Sequence, residues 1–204
     1  MSNNFGFQDA AGTTRTRKSK DMGSDVHAVY DILLDESGNL TPAGDAAARS
    51  RFVSESRLVI SVTPTINTAI YATGDAIGGK QTLTGAARGS GGVACLESVA
   101  IIDKGNQKAA CDILFFDSDP AAATITNNAA FVFSTDISKL VGIVHIATTD
   151  WITIDSNAIC HIANIRKQML TVGTANLFVA VVGTGTPTYL TAGDLIFKYG
   201  FLLS

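Results

Sequence analysis

The sequence predicts an all-β chain, an antiparallel β-sandwich of jelly-roll or immunoglobulin-like type with an extended N-terminal arm. Three observations carry that expectation. From about residue 57 onward, short runs rich in Ile, Val, Phe and Thr alternate with Gly, Asp, Asn, Ser and Pro, which is how strands and their turns are written. Only 16% of the 204 residues are charged and 46% are hydrophobic, and Ala keeps company with Thr, Ile and Val rather than with the Glu, Lys and Leu of long helices. No helical pattern of ten to fifteen residues separates the runs, so parallel βαβ units are disfavoured.

Taken in order, residues 1–56 are polar and read as an arm for attachment, with residues 57–204 as the sandwich domain. Within the arm, residues 26–34 (VHAVYDILL) can form one strand before a turn at Asp35-Glu36-Ser37-Gly38-Asn39, and residues 42–51 are Ala-rich and either short helix or irregular. An arm of this composition has no core of its own. Ordering it costs about 1–2 kcal/mol per residue, which a surface it lies against must offset.

Ten strands are expected in the domain, at 57–62, 68–72, 76–83, 94–103, 111–117, 142–148, 151–154, 158–166, 177–182 and 195–203. A single helical turn is expected over Thr135–Val141, capped by Thr135 or Asp136. Ile101, Ile113, Phe115, Val144 and Val179 are the expected core. No repeat of 20–50 residues is present, which disfavours solenoids and propellers.

The chemistry-bearing residues are few. Arg88-Gly89-Ser90-Gly91-Gly92 does not complete GxSxG and reads as a glycine-rich hairpin or inter-sheet loop. Gly183-Thr184-Gly185 lacks the third glycine of a dinucleotide loop and the Lys of a phosphate loop, so it reads as a turn. His145 and His161 sit in apolar runs without a converging ligand set, and Asp117-Ser118-Asp119-Pro120 lacks the Gly and distal Glu of a calcium loop. The three cysteines, Cys95, Cys111 and Cys160, are odd in number and widely spaced, which points to free thiols in a reducing compartment. Catalysis, a metal and a cofactor are therefore not expected.

Net charge is −3, so the chain lacks the broad basic field that draws proteins to nucleic acid. Its N-terminus has neither the basic nor the apolar region of a leader, and no apolar run is long enough to span a membrane. One local feature stands out. Arg15, Arg17, Lys18 and Lys20 put four of the fifteen cations into RTRKSK, a candidate partner-binding patch for an acidic surface.

Residues 71–80 (YATGDAIGGK) and the stretch 83–131, from LTGAARGSGG to ATITNNAAF, resemble small virion structural proteins of tailed bacteriophages. The closing segment GTPTYLTAGDLIFKYGFL, residues 185–202, is similar too, and GTTRTRKSKDMGSDVHAVYDILLD at residues 12–35 is a looser match to their openings. The resemblance implies a head decoration (cement) or head-fibre protein of the virion, assembled in the bacterial host cytoplasm. Its implied partners are the major capsid protein or another virion protein, together with its own copies in a homo-oligomer, a trimer. A tail or neck fibre component that binds carbohydrate or a receptor is the alternative.

Overall fold

The computed structural model describes residues 56–203 and, before them, three strands: β1 (Asn4–Gln8), β2 (Thr14–Asp21) and β3 (His27–Val29). The chain divides into two compact units, Met1–Val53 and Ser54–Ser204. In the first, β2 pairs antiparallel with both β1 and β3. The strand expected over residues 26–34 is described at His27–Val29; the expected turn at residues 35–39 and the Ala-rich stretch 42–51 lie outside the described residues.

The second unit holds nine strands: β4 (Ser56–Val62), β5 (Gln81–Leu83), β6 (Val93–Asp103), β7 (Cys111–Phe116), β8 (Leu140–Ile146), β9 (Trp151–Ile154), β10 (Asn157–Leu170), β11 (Leu177–Gly183) and β12 (Leu195–Leu203). They form a five-stranded sheet in the order β4-β12-β6-β10-β9 and a four-stranded sheet in the order β5-β11-β7-β8, antiparallel throughout. Late strands lie between early ones in both sheets, and the chain crosses from sheet to sheet at most connections. That is jelly-roll order, with β9 added at one edge, and it decides between the two sandwich types.

Alternation gives each sheet an inner face, and the inner faces share one core. Leu96, Val99 and Ile101 of β6 and Phe197, Tyr199 and Phe201 of β12 meet Ile113 and Phe115 of β7 and Val179 and Val181 of β11. All five residues expected in the core are buried there. One polar link crosses it: the Tyr199 hydroxyl donates to Gln81 Oε1 on the opposite sheet at 2.9 Å, with both residues buried.

The four-stranded sheet is apolar on its other face as well, where Leu114, Phe116, Phe178 and Ala180 are buried. The β7–β8 connection, residues 117–139, covers them with Ile125, Phe131 and Phe133. Phe131 and Phe133 meet edge to face at 4.7 Å between ring centroids. Asp136 fastens this flap. Its carboxylate accepts from the Ala122 and Ala123 amides at 2.6 and 2.7 Å and pairs with Lys139 at 2.8 Å, and Lys139 together with these amides holds its pKa below the ordinary 3.8. The helical turn expected over Thr135–Val141 is a 3-10 turn, Ser134–Lys139, but neither Thr135 nor Asp136 caps it; the start lies at Phe133 and Asp136 is used for a longer-range tie.

Two expected strands are corrected. Residues 68–72 form no strand, and of 76–83 only Gln81–Leu83 does. Gly74, Gly78 and Gly79 all take positive φ, which a strand cannot follow, and a Cβ at Gly78 would collide with the Pro64 ring. What holds this stretch is Asn127: its Oδ1 accepts from the Tyr71 hydroxyl at 2.7 Å and from the Gly78 amide at 2.8 Å, and its Nδ2 donates to the Thr65 carbonyl.

Tyr199→Phe should cost about 1–3 kcal/mol in urea unfolding, because Gln81 then sits in the core with no donor to its oxygen; pairing it with Gln81→Leu should recover most of the loss. Asp136→Asn should lower stability at neutral pH by about 1.5–3 kcal/mol, the range for hydrogen bonds to a charged group. A carboxylate with a depressed pKa stabilises above its unfolded value and loses that contribution as pH falls through the folded value. The gap between parent and Asp136→Asn should therefore close in unfolding curves recorded below pH 3.8.

Candidate functional site

The outer face of the five-stranded sheet differs from that of its partner: among the described residues, no segment of the chain forms a second apolar cluster over it. Register lines up its side chains in rows across the strands. Ile196, Ile102, Ile159 and Ile152 face one another in sequence across β12, β6, β10 and β9. A second row runs Ser61, Lys198, Ala100 and His161, and a third runs Val59, Gly200, Ser98 and Ala163. Val59 at 64% and Ile152 at 67% are the most open of these apolar side chains, and Ile154 at 55% stands beside them.

The third row ends where both neighbours of β6 lose register. On the β12 side, Gly200 pairs with Ser98 and Phe201 with Leu96, so Glu97 is an extra residue. On the β10 side, Ala163 pairs with Ser98 and Lys167 with Leu96, so Asn164, Ile165 and Arg166 stand against Glu97 alone. Asn164 and Arg166 accommodate this with φ of 59° and 50°. The bulges open a groove of about 400 Å³ lined by Arg57, Val59, Glu97, Ser98, His161 and Asn164 among others. The Cys95 thiol donates to Glu97 Oε1 at 3.5 Å.

A carboxylate, an imidazole and a hydroxyl therefore share one groove, yet they are not arranged as a nucleophile and its base. Ser98 Oγ stands where a Cβ on Gly200 would lie, which turns it toward β12, while His161 sits on β10 at the other side of β6. The groove has the groups to bind and orient a polar ligand.

Other residues singled out in the sequence are occupied in holding the fold. His145 pairs with Asp112 at 2.7 Å directly across β7 and β8, and both are exposed or half-exposed. Asp119 pairs with Lys80, while Lys139 donates to the Asp119 carbonyl, so the Asp-Ser-Asp-Pro loop belongs to the flap. Residues 88–92 connect β5 to β6 and cross between sheets as an inter-sheet loop. None of the three cysteines forms a disulfide; burial raises the Cys160 pKa to about 11 and pushes that of Cys111 higher still, so both stay protonated at neutral pH.

Arg15, Arg17, Lys18 and Lys20 all lie on β2, with Arg15 opposite Phe7, Arg17 opposite Phe5 and Lys18 opposite Asn4 in the pairing with β1. Strand alternation puts Arg15 and Arg17 at positions of one parity and Lys18 and Lys20 at the other. Sequence reasoning missed the groove, since it arises from two register shifts. Only the Asn-Ile-Arg run inside an otherwise regular strand signals it.

No family model, no curated protein and no solved structure matches this chain.

The left-handed backbone at Asn164 is what keeps the bulge open. Asn164→Val should cost about 1–2 kcal/mol in chemical denaturation, because a β-branched residue is strained at that φ, whereas Asn164→Gly should remain near the parent.

Proposed function

We propose that this chain is a structural protein of a tailed-bacteriophage virion, a capsid decoration protein that binds the head shell through its N-terminal unit and associates with its own copies. The observation that carries an association role is the in-register isoleucine row on the outer face of the five-stranded sheet, over which no described segment forms an apolar cluster, on a sandwich that covers its other sheet with its own chain. The assignment to a virion rests on the sequence resemblance over residues 71–131 and 185–202. The basic pairs on β2 supply charge for an acidic shell surface, each exposed contact contributing at most about 1 kcal/mol but many copies acting together. In this reading the chain is no enzyme and needs no cofactor, its partner is the major capsid protein, and it acts as a trimer.

The groove at the bulges favours a second reading, a tail or neck fibre component that binds a carbohydrate or receptor. Arg57, Glu97, Ser98 and His161 would supply the polar contacts. Copy number separates the two. Quantitative mass spectrometry of purified particles should find this chain in proportion to the shell lattice; a handful of copies per particle would favour the fibre reading instead.

Replacing Arg15, Arg17, Lys18 and Lys20 together by Ser should leave the sandwich folded and lower occupancy on particles at low salt, with the gap to the parent narrowing at high salt as screening weakens the parent's own contacts. Made as two doubles, Arg15→Ser with Arg17→Ser and Lys18→Ser with Lys20→Ser, the pair that meets the shell should account for most of the loss. Equal decoration by the quadruple variant and the parent at low and high salt would reduce the run to a solvated strand.

A further inference from the structure

Strand β6 ends at Asp103, which pairs with Leu195 at the start of β12, and the Lys104 amide donates to the Asp194 carbonyl at 2.8 Å. Two carboxylates therefore meet where two loops join the five-stranded sheet. Asp103 is 0% exposed and Asp194 6%. A Cβ built on Gly105 would stand 3.4 Å from Asp103 Oδ1, 3.4 Å from Asp194 Oδ2 and 3.4 Å from the Tyr189 ring, so the two carboxylate oxygens are no further apart than twice that distance. Hydrogen-bond donors are shared unequally between them. Asp194 accepts from the Leu190 and Thr191 amides and from the Thr191 hydroxyl. Asp103 Oδ2 accepts from the Lys108 amide at 2.9 Å, while Asp103 Oδ1 is buried with no hydrogen-bond partner, and Asn106 Oδ1 in the same turn is another buried acceptor without one.

We infer that Asp103 is an acid-operated clasp: as pH falls it takes a proton from water on Oδ1 while Asp194 stays ionised, and the change tightens the loops at this end of the sandwich. One proton does two things. It removes one of two like charges held close together in a buried setting, and it supplies a donor to a turn with two oxygen acceptors that lack one. Burial raises the Asp103 pKa above 3.8 and Asp194 adds to it, against the Lys108, Gln107 and Gly105 amides that lower it. Burial also raises that of Asp194, but its Thr191 and Leu190 donors and Lys104 bring it below 3.8. Among the other groups here, the Lys104 ammonium donates to the Gly193 carbonyl, and burial keeps Tyr189, Tyr71 and Cys111 protonated. The loops concerned carry more than themselves: the Pro187 and Ala192 carbonyls accept from the Tyr71 and Ile66 amides, so the 66–71 stretch hangs on them. A group whose pKa is raised on folding stabilises at low pH and loses that contribution as pH rises through its folded value, the reverse of Asp136. The inference stands apart from the assignment to a virion, since it concerns the fold of this chain alone.

Carboxyl carbon shifts of the full chain, labelled with carbon-13 and assigned through the backbone, read the titration without any substitution. Asp103 should titrate above 3.8 and Asp194 below it. Asp103→Asn places an amide N–H where Oδ1 now has no donor, so its Tm at pH 7 should lie about 2–4 °C above the parent's. That gap should close as pH is lowered through the Asp103 midpoint, because every other carboxylate is common to both proteins. Amide exchange at Lys108, corrected for its intrinsic rate, should slow over the same pH range in the parent and not in the variant. An Asp103 midpoint at or below 3.8, a variant no more stable than the parent at pH 7, or a gap that does not change with pH would each overturn the clasp; should the variant fail to fold, the carbon titration of the parent decides alone.

Discussion

Strands β7 and β11 are apolar on both faces, and much of this fold follows from that. Ile113, Phe115, Val179 and Val181 point into the sandwich, while Leu114, Phe116, Phe178 and Ala180 point away from it. A sheet of that kind cannot leave one face in water without exposing several large side chains, each worth about 1.5–3 kcal/mol when buried. The β7–β8 connection therefore becomes a third layer. Because a 23-residue loop has many ways to lie, its position is set by a few polar ties: Asp136 to two amides within it, Asn127 to Tyr71 and Gly78, Lys80 to Asp119.

The other sheet solves the opposite problem. Its outer face mixes Lys198, Ser61, His161 and small residues with the isoleucine row, so it tolerates water along part of its surface. The exposure that remains falls on Ile152 and Ile154 of β9, on Val59, and on Leu170 beside Val93. Polar side chains such as Asp136 and Asn127 are spent on fixing loops, while this sheet keeps exposed apolar side chains. Even the buried carboxylates fit this division, for they serve loops. Asp194 accepts from the Leu190 and Thr191 amides and from the Thr191 hydroxyl, and Asp103, whose pKa is raised by burial and by Asp194, accepts from the Lys108 amide.

Much of the sandwich was legible in the sequence because period-two alternation and turn residues are local signals. The runs that became β6, β7, β11 and β12 show both, and Ile101, Phe115 and Val179 lie in the core as their patterns imply. The run TAIYA has the same local look yet forms no strand, because the glycines after it take positive φ and Tyr71 is held through its hydroxyl rather than through a ladder. Asp136 reads locally as a cap and acts at a distance. The groove was invisible for a related reason: it depends on β10 and β12 both slipping against Glu97, and register is a property of pairs of strands that no single run records.

The outer face of the four-stranded sheet is covered by the chain itself, and in the proposed assembly a neighbouring molecule covers the outer face of the other. Hydroxyl-radical footprinting of the assembled and the dissociated protein tests it directly. Phe116 and Phe178, beneath the flap, should be protected in both states, whereas Ile152, Ile154 and Val59 should be labelled in the dissociated protein and protected on assembly. Equal labelling of Ile152, Ile154 and Val59 in the two states would contradict the account.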